Sequence, residues 1–156
     1  MALNWCFNEP WSTAANNSIV NYPAQPKAAY AAVKAACRPF LASARIPRFQ
    51  WEPGALFTAE LWLLNDSPTR RPPGRLVVTL AGAHTRLTLL RWDFPATPAQ
   101  RHLAGPTVRA HLPADLGDAF TLTLTVVAQP RASSAYRLSV RVPQAAPRPT
   151  THVLNV

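Results

Sequence analysis

The stretch Phe120-Thr121-Leu122-Thr123-Leu124-Thr125-Val126 decides the fold class. Apolar residues alternate with threonine without a break, which is the period of a strand with one face in a core and the other in water. Threonine is β-branched and suits that pleated surface. The same period recurs at Tyr136-Arg137-Leu138-Ser139-Val140-Arg141-Val142. It recurs again from Leu56 to Leu64, with Phe57, Ala59, Leu61 and Leu63 on one side and Thr58, Glu60, Trp62 and Leu64 on the other. Arg75 to Leu80, Arg86 to Trp92 and a shorter Thr107 to Leu112 read as further strands, and His152 to Val156 as a last edge strand. Between them stand turn signals: Glu52-Pro53-Gly54, Asn65-Asp66-Ser67-Pro68, the Pro-rich Arg70 to Gly74 and the loop Pro113 to Asp118. Six or seven short strands joined this way predict a mainly β chain, an immunoglobulin-like antiparallel β-sandwich over residues 44–156. Most of the 17 prolines fall in the connections, as the reading requires.

Residues 1–43 read differently. A short apolar run, Leu3-Asn4-Trp5-Cys6-Phe7, is followed by Asn8-Glu9-Pro10-Trp11, and Pro10 ends any strand there. After a polar loop, Ile19-Val20-Asn21-Tyr22 is a second extended piece. Pro26 suits the first turn of a helix running from about Lys27 to Arg38, with Tyr30, Val33, Ala36 and Cys37 at helical spacing and Pro39 as the stop.

Composition narrows the function classes. A chain of 156 residues can bury a core but is too short for a complete eight-fold β/α barrel, which needs about 250. The net charge is +9, yet only Lys27 and Lys34 are lysines and the arginines are spread from Arg38 to Arg148. The tightest clusters, Arg70-Arg71 with Arg75 and Arg45 with Arg48, do not make a run that tracks a phosphate backbone, so no nucleic-acid partner is expected. No apolar run approaches the roughly 18 residues of a membrane span, so no membrane partner is expected either. The opening residues lack the charged and apolar regions of a signal peptide. Cys6 and Cys37 form neither a disulfide framework nor a zinc pattern and read as two buried free thiols. His84, His102, His111 and His152 are isolated. With no Gly-rich phosphate loop, nucleophile elbow or Cys/His pairing, no cofactor and no metal are expected.

Asn8-Glu9-Pro10 is the one string that looks catalytic. Retaining glycosidases use two carboxylates about 5 Å apart, one as acid/base and one as nucleophile. Glu9 has no convincing second carboxylate: Glu52 precedes a turn, Glu60 lies inside a strand, and Asp66, Asp93, Asp115 and Asp118 sit beside turn residues. On the residues alone Glu9 reads as a structural carboxylate.

Three ordered blocks nevertheless carry a resemblance. They are Trp5-Cys6-Phe7-Asn8-Glu9-Pro10-Trp11, then Asn17-Ser18-Ile19-Val20-Asn21-Tyr22, then Gln25-Pro26-Lys27-Ala28-Ala29-Tyr30. Together they resemble glycoside hydrolase family 2, the family of β-mannosidases, β-galactosidases and β-glucuronidases. Mannosidase-like members run Trp-x-Phe/Leu-Asn-Glu/Asp-x-Trp-Pro in the last barrel strand. A loop leads to Ser-Ile/Val-Val-Asp-Tyr, and Arg/Lys-Pro-Lys-x-Ala-Tyr-Tyr opens the last barrel helix. The resemblance covers roughly the first 40 residues, and Phe57 to Asp66 is more weakly similar to the opening of the sandwich that follows the barrel.

The resemblance implies that residues 1–43 are the remnant of a last barrel strand and helix, that both catalytic glutamates lie upstream, and that this chain holds no catalytic residue. It implies a sugar-side position for Trp5, as the floor of the site, and for Asn8, Glu9 and Trp11 beside it. The implied partners are an upstream barrel of the same polypeptide and a β-linked sugar, a β-mannoside first and a β-galactoside next. Asn21 stands where Asp is usual, Ser12 where Pro is usual, and Ala24-Gln25 where Gly-Arg or Leu-Arg is usual. If the helix is ordered, Tyr30, Val33 and Cys37 are the residues expected to lay it on the sandwich. The competing reading is a stand-alone carbohydrate-binding or interaction sandwich, with Trp51, Trp62 and Trp92 as spare aromatics and Trp62 as the outward-facing platform.

Overall fold

A computed structural model describes residues 6–12 and 17–141. The expected edge strand His152–Val156 and the expected sugar-floor residue Trp5 lie outside the described residues. The chain forms two compact units, Met1–Pro39 and Phe40–Val156.

The first unit contains strands β1 (Val20–Asn21) and β2 (Gln25–Pro26), paired antiparallel, and helix α1 (Ala28–Ala36). Asn8 adds a parallel bridge to Val20. The β1–β2 turn is closed by Ala24 N–H donating to the Asn21 carbonyl at 2.7 Å, with a cis Tyr22–Pro23 bond inside it. Pro26 is therefore the end of a strand and not the first turn of the helix, and Lys27 takes the N-cap position with extended backbone. No residue of α1 is buried; Tyr30 and Val33 are half-buried and Cys37 is exposed.

The second unit is the β-sandwich. Its strands are β3 (Phe40–Arg45), β4 (Gln50–Trp51), β5 (Leu56–Asn65), β6 (Gly74–Ala81), β7 (Arg86–Phe94), β8 (Arg101–His111), β9 (Ala119–Val126) and β10 (Ser134–Val140). One sheet has the order β3-β5-β8 and the other β4-β10-β9-β6-β7. Every pairing is antiparallel except β4 with β10. The first strand is thus split: β3 belongs to one sheet, and the chain crosses over residues 46–49 to lay β4 on the other. This is the immunoglobulin-like sandwich read from the alternation.

The core is where the two inner faces meet. Phe57, Ala59, Leu61 and Leu63 of β5 are buried as the period of two requires. They meet Leu76, Val78 and Leu80 of β6, Phe120, Leu122, Leu124 and Val126 of β9, and Leu138 of β10. Phe57 lies edge-on to Phe120, with ring centroids 5.8 Å apart.

Three parts of the sandwich differ from the sequence reading. The boundary lies at Phe40, not at residue 44, because Phe40-Leu41-Ala42 are all buried and β3 shows no alternation there. β8 begins at Arg101, not at Thr107, because its bulge accommodates Gly105-Pro106, which sequence alone reads as a break: Glu60 pairs with Thr107, but Trp62 pairs with Ala104. β7 runs on to Phe94 and does not end at Trp92, so Asp93 lies within the strand. Its carboxylate accepts from Arg75 Nε at 2.6 Å and from Nη2 at 2.9 Å across the sheet.

Candidate functional site

In the first unit, Glu9 is buried, which is costly for a carboxylate without partners. It has partners from both neighbouring segments. Ser18 Oγ donates to Oε1 at 3.0 Å, the Tyr22 backbone N–H donates to Oε2 at 3.3 Å, and Lys27 Nζ stands 2.8 Å from Oε1. The backbone reinforces the arrangement: Glu9 N–H donates to the Val20 carbonyl, the N–H groups of Ile19 and Val20 both donate to the Phe7 carbonyl, and Lys27 N–H donates to the Ile19 carbonyl. The Lys27 ammonium holds the Glu9 carboxyl below the ordinary carboxylate range, outweighing the opposing effect of desolvation, with Ser18 and Tyr22 adding to the lowering. A carboxyl lowered in this way stays ionised near neutral pH and is a poor proton donor.

The structure brings Asn8 and Glu9 together with Ser18, Tyr22 and Lys27, and these three partners were not singled out as site residues by the sequence reading. The spacing of an acidic residue and a lysine in separate loops carries no signal of the pair. Trp11 is 67% exposed, with Phe7 and Tyr22 also among the exposed aromatics of this unit. The cysteines correct the expectation of two buried thiols: both are free, Cys6 is half-buried and Cys37 is exposed.

In the sandwich, the three spare tryptophans part company. Trp51 is buried, its Nε1 donating to the Arg48 carbonyl at 3.0 Å while the Arg48 guanidinium lies over its ring at 4.3 Å. Trp92 packs beside Phe94 and over Gly105 of the opposite sheet. Trp62 is half-exposed on the outer face of the three-stranded sheet, between Ser43 and Ala104 in register.

Next to it on that face lies a groove of about 600 Å³ lined by Arg45, Pro47, Thr58, Glu60, Thr107 and Arg109. Its origin is topological. β3 pairs with β5 only as far as Arg45 opposite Glu60, because the chain then leaves for the other sheet. Thr58 of β5 keeps Arg109 of β8 as its neighbour and has none from β3. Arg45 Nη1 reaches Glu60 Oε2 at 3.5 Å, a long contact between two exposed side chains.

A buried polar cluster at the opposite end of β5 holds loops together. Asn65 Nδ2 donates to the carbonyls of Thr69 at 3.0 Å and Pro98 at 2.8 Å, and Asn65 Oδ1 accepts from Ser67 Oγ. Among the described residues no three His, Cys, Asp or Glu side chains come together as a metal site would need. No helix among the described residues is long and apolar enough to cross a membrane.

No protein-family model and no curated protein sequence matches the chain. Solved structures do share its architecture. A CARDB domain from Pyrococcus furiosus, determined in complex with di-metal ions, aligns at a TM-score of 0.51 and 14% identity, covering 66% of this chain and 92% of that one. A superoxide reductase (neelaredoxin) from Ignicoccus hospitalis aligns at 0.44 and 10% identity, over 66% of this chain and 80% of that one. The sporulation control protein Spo0M from Bacillus subtilis aligns at 0.45 and 9% identity, over 67% of this chain and 50% of that one. The likeness to the CARDB domain is one of fold; the other two are too distant to support an argument.

Proposed function

We propose that this chain is a non-catalytic carboxy-terminal part of a retaining glycosidase acting on β-linked sugars, with β-mannosides the first expectation for the parent enzyme. The observation that carries the reading is the convergence on Glu9. Its partners Ser18 and Tyr22 come from the second block of the family 2 resemblance, and Lys27 comes from the third. The three stretches that carry the resemblance, separated in sequence, therefore meet at one carboxylate. The hydrogen bonds and ion pair that occupy Glu9 also favour a structural role for it over an acid/base role. The immunoglobulin-like sandwich that follows suits a domain appended to a barrel.

Two measurements test the reading. An antibody raised to this chain should detect a band several times heavier than 17.1 kDa in cells that make the protein. The 156-residue chain should give no turnover of p-nitrophenyl β-mannoside or β-galactoside. Turnover by the isolated chain that disappears in Glu9→Gln would overturn the proposal, as would a native product of the same size as the chain.

A further inference from the structure

We infer that the groove at the end of the three-stranded sheet binds a hydroxylated carboxylate, of the chemical class of a uronic acid residue. This inference stands on the sandwich alone and does not rest on the glycosidase reading. Three features of the groove select that chemistry. Among the described residues Arg109 makes no ion pair, so its guanidinium fork is open for a planar, bidentate carboxylate. Glu60 is an acceptor within the same groove. It suits hydroxyl donors and disfavours a dianion such as sulfate or a phosphate monoester, because like charges repel at close range. Thr58 and Thr107 line the groove with hydroxyls that both donate and accept, and Ile46 with Pro47 supplies an apolar wall for the C–H face of a ring.

The site is a product of the fold. A β3 continuing past Arg45 would cover Thr58, but the switch of β3 to the other sheet leaves that side of β5 open. The contact between Arg45 and Glu60, at 3.5 Å with both side chains exposed, is weak enough to rearrange around a ligand. A carboxylate on Arg109 with hydroxyls on Glu60 uses both charges and leaves neither facing an unmatched partner.

The test is a titration of the ¹⁵N-labelled chain followed by amide NMR, with sodium glucuronate and sodium galacturonate as probes. Glucose, acetate and sulfate at matched ionic strength are the controls. The expected result is a saturable shift confined to Arg45, Thr58, Glu60, Thr107 and Arg109, with a dissociation constant on the order of 1 mM for an exposed groove. Glucose and acetate should each bind at least about tenfold more weakly, since each supplies only half of the recognition. Arg109→Ala should weaken uronate binding about tenfold or more, and Arg137→Ala on β10 of the other sheet should leave it unchanged. Equal shifts with sulfate, shifts spread over all the exposed arginines, or undiminished binding in a folded Arg109→Ala variant would each overturn the inference. Arg109→Lys is the second variant: it keeps the charge but loses the bidentate fork, and it should also bind more weakly than the parent.

Discussion

Lys27 Nζ lies 2.8 Å from Glu9 Oε1, and this ion pair joins the residue before helix α1 to the segment that bridges β1. Glu9 is buried and Lys27 is partly so, which makes the pair more than a surface contact. Removing one partner leaves the other charge with its desolvation uncompensated. Because Lys27 lowers the Glu9 carboxyl from its ordinary 4.5, the unfolded chain binds the proton first as pH falls. The stabilisation is therefore complete above pH 4.5 and is lost as pH drops through the lower folded value. NMR titration of the Glu9 carboxyl should give a midpoint below 4.5, and Lys27→Met should raise it. A midpoint at or above the ordinary value would show that the pair does not form in solution.

Gly105 has no room for a side chain. A Cβ there would overlap the Trp92 ring, which lies against the bulge of β8. Gly105→Ala should destabilise the sandwich by about 1–3 kcal/mol, the usual range for overpacking. The cost should be smaller in a Trp92→Leu background, where the overlapping ring is gone. Urea denaturation of the four chains of this double-mutant cycle checks the coupling, and additivity would refute it.

Leu122 is fully buried in the middle of the core, on the strand whose alternation defines the fold class. Leu122→Ala removes its methyl contacts and leaves a cavity, at a cost of about 2–5 kcal/mol. Thr123→Ala, at its half-exposed neighbour, should cost far less. Equal effects would mean that the strand does not present its faces as described.

Asn65 is also fully buried, and its amide closes the loops around Thr69 and Pro98. Asn65→Ala removes the donor to the Pro98 carbonyl and the acceptor of the Ser67 N–H, while Ser67 Oγ still donates to the Thr69 carbonyl, at a cost of about 1–3 kcal/mol for buried polar groups left unpaired. Asn65→Asp keeps the acceptor for Ser67 but loses the donors, and it should be destabilising as well. Thermal melting separates both variants from the parent.

Cys37 is exposed and Cys6 is half-buried, both as free thiols. An Ellman titration of the native chain should show one fast thiol and one slower one. Cys37→Ser should remove the fast phase, and two slow thiols would contradict the exposure at the end of α1.

How far the sequence speaks depends on the range of the interactions. Alternation is local, and the strands with a clean period of two are found within a residue or two of their expected limits: Leu56–Asn65, Ala119–Val126 and Ser134–Val140. Glu52-Pro53-Gly54 was equally legible, since the positive φ of Gly54 and the Ala55 N–H donating to the Glu52 carbonyl follow from turn chemistry. Of the proposed site residues, Glu9 was visible as an unusual carboxylate, but its partners Ser18, Tyr22 and Lys27 were not, because only folding brings those segments together.

The amino-acid order by itself determined the β class, the inward set of apolar residues and most of the turns, because each depends on neighbours two to four positions away. Only the tertiary structure decided that β3 and β4 part to different sheets, that β8 runs through Gly105-Pro106 as a bulge, and that Arg45, Glu60 and Arg109 share a groove. Each of those outcomes depends on what lies across the sheet or the core, and residues far apart in the chain supply it.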